Sequence, residues 1–273
     1  MWPNLSLCAD VPRAELRPCS GPPTKFVSSG LALPTDPTTN RKLSMTSRSF
    51  VFGAVVVAFA LSGCATRTQM AFQNDSDRLT EKSTPVYLMA VTIKNTYRTS
   101  FQPRLLVVNV EKAGGKEVAD RLNFTMDDKA KDETDSADVG NSYLLRLVLE
   151  PGRYEIRGLT CLARSFPING IFFAPMHSAV ESSGAGVYYL GHVSATVRER
   201  QGNEFKAGPS IPLIDQAIAG ASGGTFDIVI TDELSTDEGA FRAKFPALAG
   251  VTIKKAILPS FDRAKAQQWW ETH

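Results

Sequence analysis

Tyr143-Leu144-Leu145-Arg146-Leu147-Val148-Leu149-Glu150-Pro151-Gly152-Arg153-Tyr154-Glu155-Ile156-Arg157-Gly158-Leu159 holds two strand-like runs around one turn. The first run is short, apolar and bounded by turn residues, as a buried strand is. Pro151 and Gly152 occupy the two central positions of the reversal. Proline presets φ near −65° and glycine takes positive φ without steric cost, so the pair predicts a type II turn. A chain that turns sharply between two apolar runs must bury both, and the neighbouring sequence supplies the partners.

Working outward, Val86 to Ile93, Arg104 to Val110 and Leu122 to Met126 read as earlier strands, with Gly114-Gly115 as a turn after the second. Ile168 to Ala174, Val187 to Val197, Phe226 to Ile230 and a short Val251 to Leu258 read as later ones. Ile211 to Ala219 reads as a loop or short helix. Thr236 is placed to cap a helix running to about Phe245, with Asp237 and Glu238 favouring its positive end. Ser260 is placed to cap a second helix through Trp270. Strands spaced this closely, without crossover helices between them, predict a mainly β chain. The expected fold is an antiparallel β-sandwich of eight or nine strands over residues 85–259, with one or two short C-terminal helices, the last over 260–273.

The chain has 273 residues and a formal net charge of +2. That excess is concentrated before Cys64: residues 64–273 hold 24 basic and 25 acidic side chains. No basic stripe of the kind that grips phosphates is present, so a nucleic-acid partner is not expected. Residues 1–44 carry 7 of the 16 prolines and no hydrophobic period. They read as upstream sequence or a disordered leader, with translation starting at Met45 or, alternatively, with a long genuine n-region.

Residues 45–63 read as a signal peptide: Arg48 gives a positive start and Phe50 to Leu61 a 12-residue apolar run. The run is too short to remain as a spanning helix, which needs about 20 apolar residues. Leu61-Ser62-Gly63-Cys64 resembles the lipobox of bacterial lipoproteins. The resemblance implies diacylglyceryl transfer to the Cys64 thiol, cleavage between Gly63 and Cys64, and acylation of the freed amine. Three acyl chains would make a lasting anchor, since a single chain is marginal. By the same resemblance Ala65, rather than Asp, after the cysteine implies the outer membrane, with the body facing the periplasm. Residues 64–84 read as the lipidated cysteine and a polar tether. Cys8 and Cys19 lie in the leader, which leaves Cys161 as the one other cysteine, read as a buried small hydrophobe.

Leu149-Glu150-Pro151-Gly152-Arg153-Tyr154-Glu155-Ile156 also resembles the corner of carboxypeptidase-regulatory-like, transthyretin-type β-sandwiches. With Gly186-Val187-Tyr188-Tyr189-Leu190-Gly191 and Asp227 to Pro246, the chain is similar to uncharacterised bacterial lipoproteins over roughly residues 85–250. The resemblance implies that the corner turns the chain and packs a tyrosine ring over the sandwich edge. It carries no catalytic residues across.

Motifs for chemistry fail on context. Gly220-Ala221-Ser222-Gly223-Gly224 matches a nucleophile elbow in letters, but that motif needs a strand before it and a helix after. Asp127 to Asp138 has a net charge of −4 yet lacks the glycine and closing glutamate of a calcium loop, and reads as a solvated loop. His177, His192 and His273 show no mutual ligand spacing. Asp232, Glu233, Asp237 and Glu238 are explained by helix capping. Trp269-Trp270, with Phe261, reads as an apolar helix face docked on the body or, alternatively, on a partner or membrane surface.

The expected function is a membrane-anchored envelope lipoprotein acting as a non-catalytic accessory or interaction module. Its partners are membrane lipid through acylated Cys64 and an envelope protein. No catalytic residue, metal site or cofactor is expected. The alternative is an envelope glycan-, lipid- or small-ligand-binding module using loops around Phe172-Phe173 and Tyr188-Tyr189, and less so a hydrolase.

Overall fold

A computed structural model describes residues 67–79, 83–131, 140–209 and 214–273. The signal-like segment, Gly63 and Cys64 lie outside the described residues. The strands are β1 (Arg67–Thr68), β2 (Val86–Asn95), β3 (Arg104–Lys112), β4 (Arg121–Thr125), β5 (Asn141–Val148), β6 (Gly152–Ser165), β7 (Ile168–Ser182) and β8 (Val187–Glu199). Helix α1 (Ile214–Ile218), β9 (Gly224–Thr231), α2 (Leu234–Lys244), β10 (Ile253–Lys255) and α3 (Arg263–Thr272) follow.

The chain is mainly β, with two five-stranded sheets. The first runs β1-β4-β3-β6-β7 and the second β10-β8-β2-β5, with β9 also on β8. Both are mixed rather than purely antiparallel. β1 lies parallel to β4, and β2 and β10 lie parallel to β8. The mainly β fold is the expected one; the parallel pairs depart from the expected antiparallel pairing because they join strands far apart in the chain, about a hundred residues for Val86 and Val187.

The alternation of each strand explains the layers. In β2, Tyr87, Met89, Val91 and Ile93 enter the core between the sheets with Leu145, Leu147, Val108, Leu159 and Phe172. Leu88 and Ala90 point to the other face, where Val187, Tyr189, Phe241, Phe245 and Leu248 cover them. The second sheet is therefore apolar on both faces at one end, because α2 and the Pro246–Leu248 turn lie across it. Each large apolar side chain so buried contributes about 1.5–3 kcal/mol.

The Pro151-Gly152 corner carries the chain from β5 in one sheet to β6 in the other. Tyr154 is buried beside it in the central core. Gly152 has φ 153°, far from the value near +80° of a closed type II turn, so the corner is an open swing between layers. Gly191 meets a different demand. It has φ +113°, and an added Cβ would lie 3.0 Å from the Thr231 carbonyl oxygen. β10 and β9 abut there, pairing with β8 on either side of it.

The segment expected as a polar tether is partly built into the body. Met70 and Phe72 are buried, and Arg67 and Thr68 pair with Asn123 and Phe124. Arg146 holds this strap. Its guanidinium is fully buried, donates from Nε to the Ala71 carbonyl at 2.9 Å, pairs with Asp127 and lies 4.3 Å from the Phe245 ring centre. Asp127 is thus a structural partner rather than a solvated loop residue. Residues 132–139 of that loop lie outside the described residues.

Helix α3 bridges the edge strands of the two sheets. Arg263 donates to the Phe226 carbonyl of β9 at 2.6 Å, and Lys265 to the His177 carbonyl of β7 at 2.7 Å. Ala266 is buried beneath it. Its cap is Asp262, which accepts from the Lys265 backbone N–H at 2.9 Å, not Ser260. Trp269 packs on Phe173 and His177, with ring centres 5.6 and 5.0 Å apart. The tryptophan pair therefore docks on the chain's own body.

Candidate functional site around His192

His192 follows Gly191 on β8, on the outer face of the second sheet and just beyond the area α2 covers. Its neighbour in space is the start of α2. Glu233 occupies the N-cap position and Asp237 lies one helical turn later, so both carboxylates sit on one side of the helix. Of the acids expected to cap α2, Asp232 accepts from the Leu234 backbone N–H at 3.3 Å, but the Glu233 side chain makes no capping bond. Instead His192 Nδ1 lies 3.2 Å from Asp237 Oδ2 and 3.5 Å from Glu233 Oε2.

Each of the three groups has a further partner. His192 Nε2 is 2.9 Å from Thr92 Oγ1, itself 3.3 Å from Ser142 Oγ on β5. Thr231 donates its hydroxyl proton to Glu233 Oε1 at 2.8 Å, and the Tyr189 hydroxyl donates to Asp237 Oδ2. The cluster grades from buried to exposed: the side chain of Asp237 is 10% exposed, that of His192 18% and that of Glu233 45%.

The electrostatics follow from this placement. The hydrogen bond donated to Asp237, aided by both carboxylate charges, raises the His192 pKa against the opposing effect of burial. Burial and the anionic Asp237 push Tyr189 well above the ordinary phenol range, so it stays a donor. A hydroxyl at Thr92 can donate or accept, so it suits either imidazole tautomer.

Two chemistries fit such a row. One is a divalent cation held by His192, Glu233 and Asp237, whose ligand atoms lie within 4.8 Å of one another. The other is an Asp-His-Thr relay with Thr92 as nucleophile. That second reading needs a hollow for the acyl group and converging N–H donors. Two surface hollows among the described residues lie elsewhere, one beside Gln201, Arg263 and Gln267, the other beside Gln69, Thr125 and Lys129.

The other singled-out residues go to structural work. Phe172 and Tyr189 are fully buried, and Tyr188 stacks on Tyr87 with ring centres 5.2 Å apart. These aromatics lie in strands β7 and β8 rather than loops. Cys161 is buried, and burial pushes its thiol far above the ordinary range. Ser222 sits in a turn leading into β9, so the elbow geometry is absent there. His177 is buried on β7 at φ +48° and pairs through Nδ1 with Glu155 Oε1 at 2.8 Å.

The histidine was visible in the sequence, but its partners lie 41 and 45 positions away and carried the plainer reading of helix caps. The one available signal was a pair of acids four apart following a strand.

Compared with family models, curated proteins and solved structures, the chain matches none of them.

Proposed function

We propose that the chain is a lipoprotein anchored through Cys64, whose β-sandwich body serves as a non-catalytic accessory or interaction module at the outer membrane, facing the periplasm. The observation that carries this reading is the docked strap. The body begins at Arg67, three residues after Cys64, and a chain spans at most about 3.6 Å per residue. An acylated Cys64 would therefore hold the body within about 11 Å of the bilayer. A long tether would leave it free to roam; this one sets an orientation.

The direction of β1 supports one end as the near one. β1 runs with β4 and against β3, so the chain arrives at the end of the first sheet holding Lys112, Arg121 and the Pro151-Gly152 corner. The opposite end carries the β6–β7 tip, where Phe166 is fully exposed. An exposed aromatic at the membrane-distal tip suits an envelope protein partner. The likeness to transthyretin-type sandwiches remains part of this proposal and rests on the corner residues.

The test is metabolic labelling with an alkyne fatty acid in wild type and Cys64→Ala, followed by membrane fractionation. Label on wild type alone, in the outer-membrane fraction, is the expected result. Label on neither protein would overturn the anchor.

A further inference from the structure

We propose that His192, Glu233 and Asp237 form a binding site for one zinc ion, with a fourth coordination position open to solvent. Five observations carry it. The donor set is one imidazole nitrogen and two carboxylates, each a ligand type that zinc takes, and three protein ligands leave a fourth position for solvent. Around a tetrahedral zinc with bonds of about 2.0–2.1 Å, ligand atoms stand about 3.3 Å apart. His192 Nδ1 already lies 3.2 Å from Asp237 Oδ2 and 3.5 Å from Glu233 Oε2.

The surrounding hydrogen bonds have the form that orients metal ligands. Thr92 holds the other imidazole nitrogen, Thr231 holds the other Glu233 oxygen, and Tyr189 fixes Asp237. Metal binding through Nδ1 leaves Nε2–H to donate to Thr92, which can then donate to Ser142. The charge also closes. Two carboxylates converging on one imidazole concentrate negative charge at one point, which a dication offsets. Lys255 pairs with Asp232, at 2.6 Å, rather than with the cluster. The imidazole donor disfavours magnesium and calcium, which take oxygen ligands. Finally, Glu233 forgoes its capping bond to face the site.

The experiment uses the full chain purified in detergent, titrated with Zn²⁺ against a chromogenic chelator. The expected result is one Zn²⁺ per chain with a dissociation constant of about 1 μM or below. His192→Ala is expected to weaken binding at least about 100-fold and Glu233→Gln about 10-fold, on the scale at which even outer-shell partners matter. Glu233 is exposed enough that its variant keeps the fold, which circular dichroism checks. Cobalt in place of zinc should give the visible absorption of a four-coordinate site, lost in His192→Ala. Wild-type binding weaker than about 100 μM, or binding unchanged in Glu233→Gln and His192→Ala, overturns the site. Loss in His177→Gln but not in His192→Ala overturns it equally, by placing the ion elsewhere. The outcome is independent of the fatty-acid labelling, so neither result can mask the other.

Discussion

His192 and His177 are both strand histidines whose Nδ1 meets a carboxylate near 3 Å, yet their surroundings give them opposite work. His177 is sealed. Its ring lies against Trp269, its Nε2 has no hydrogen-bond partner among the described residues, and its backbone holds a left-handed φ. A lone buried donor or acceptor costs about 1–3 kcal/mol, and a strained φ adds a similar amount. The docking of α3 offsets those costs. His192 is reachable from solvent, both its nitrogens are partnered, and two carboxylates rather than one face it. A histidine–carboxylate pair is therefore not a function by itself. The count of acids and the access of solvent separate a clasp from a site.

The largest expected effect lies outside both clusters and sets their scale. Arg146→Met removes the buried cation that joins the strap, Asp127 and Phe245, and should cost about 3 kcal/mol in urea unfolding. In the proposed reading the strap docks after export, so fatty-acid labelling at Cys64 should be unaffected.

Next comes the zinc effect, which should appear at one histidine only. At a hundredfold excess over its dissociation constant, Zn²⁺ should stabilise the wild type by about 2.7 kcal/mol and His192→Ala not at all. A zinc-dependent rise in the melting temperature of His192→Ala would erase the distinction drawn between the two histidines.

Trp269→Ala should cost about 2 kcal/mol, less than a fully buried tryptophan because the ring is only partly covered. Zinc affinity should be retained in that variant. If it falls as well, the two regions are coupled through the sheets and not independent.

The acid response sharpens the contrast further. Glu155, bonded to His177, and Glu204, bonded to Arg198, each have a pKa lowered from 4.5 to about 2. A carboxylate with a depressed folded pKa stabilises the fold above its unfolded pKa and loses that contribution as pH falls through the folded one. Both hold α3, through Lys265 and Arg263. Tryptophan fluorescence should therefore report α3 loosening between pH 4.5 and about 2, ahead of any loss of far-UV strand signal. Coincident loss of both signals would refute an α3-specific acid response. The smallest effect is Glu233→Gln without metal, expected within about 0.5 kcal/mol of wild type because the side chain is exposed and caps nothing.

Most strands could be read directly. β2, β3, β4, β5, β8 and β9 fall on runs whose apolar content and bounding turns are local properties of the chain. The longer β6 and β7 extend past their apolar runs because each pairs along nearly its whole length with the other. The N-cap positions were displaced, by three residues for α2, where Glu233 stands without a capping bond in place of Thr236, and by two for α3, where Asp262 caps in place of Ser260. Capping depends on which backbone N–H groups remain free after packing, and several acids compete for them.

From its own residues the sequence determined the strand runs, the two C-terminal helices, the corner at Pro151-Gly152 and the burial of Cys161, all set by short-range sterics and apolar patterning. Only the tertiary structure decided that the corner crosses between sheets and that Arg146 locks residues 67–72 to the body. It alone brought His192, Glu233 and Asp237 together. Parallel pairing of β2 with β8 and the return of α2 over their outer face join residues far apart in the chain. No local property of the sequence encodes that meeting, because it is fixed by which surfaces bury one another.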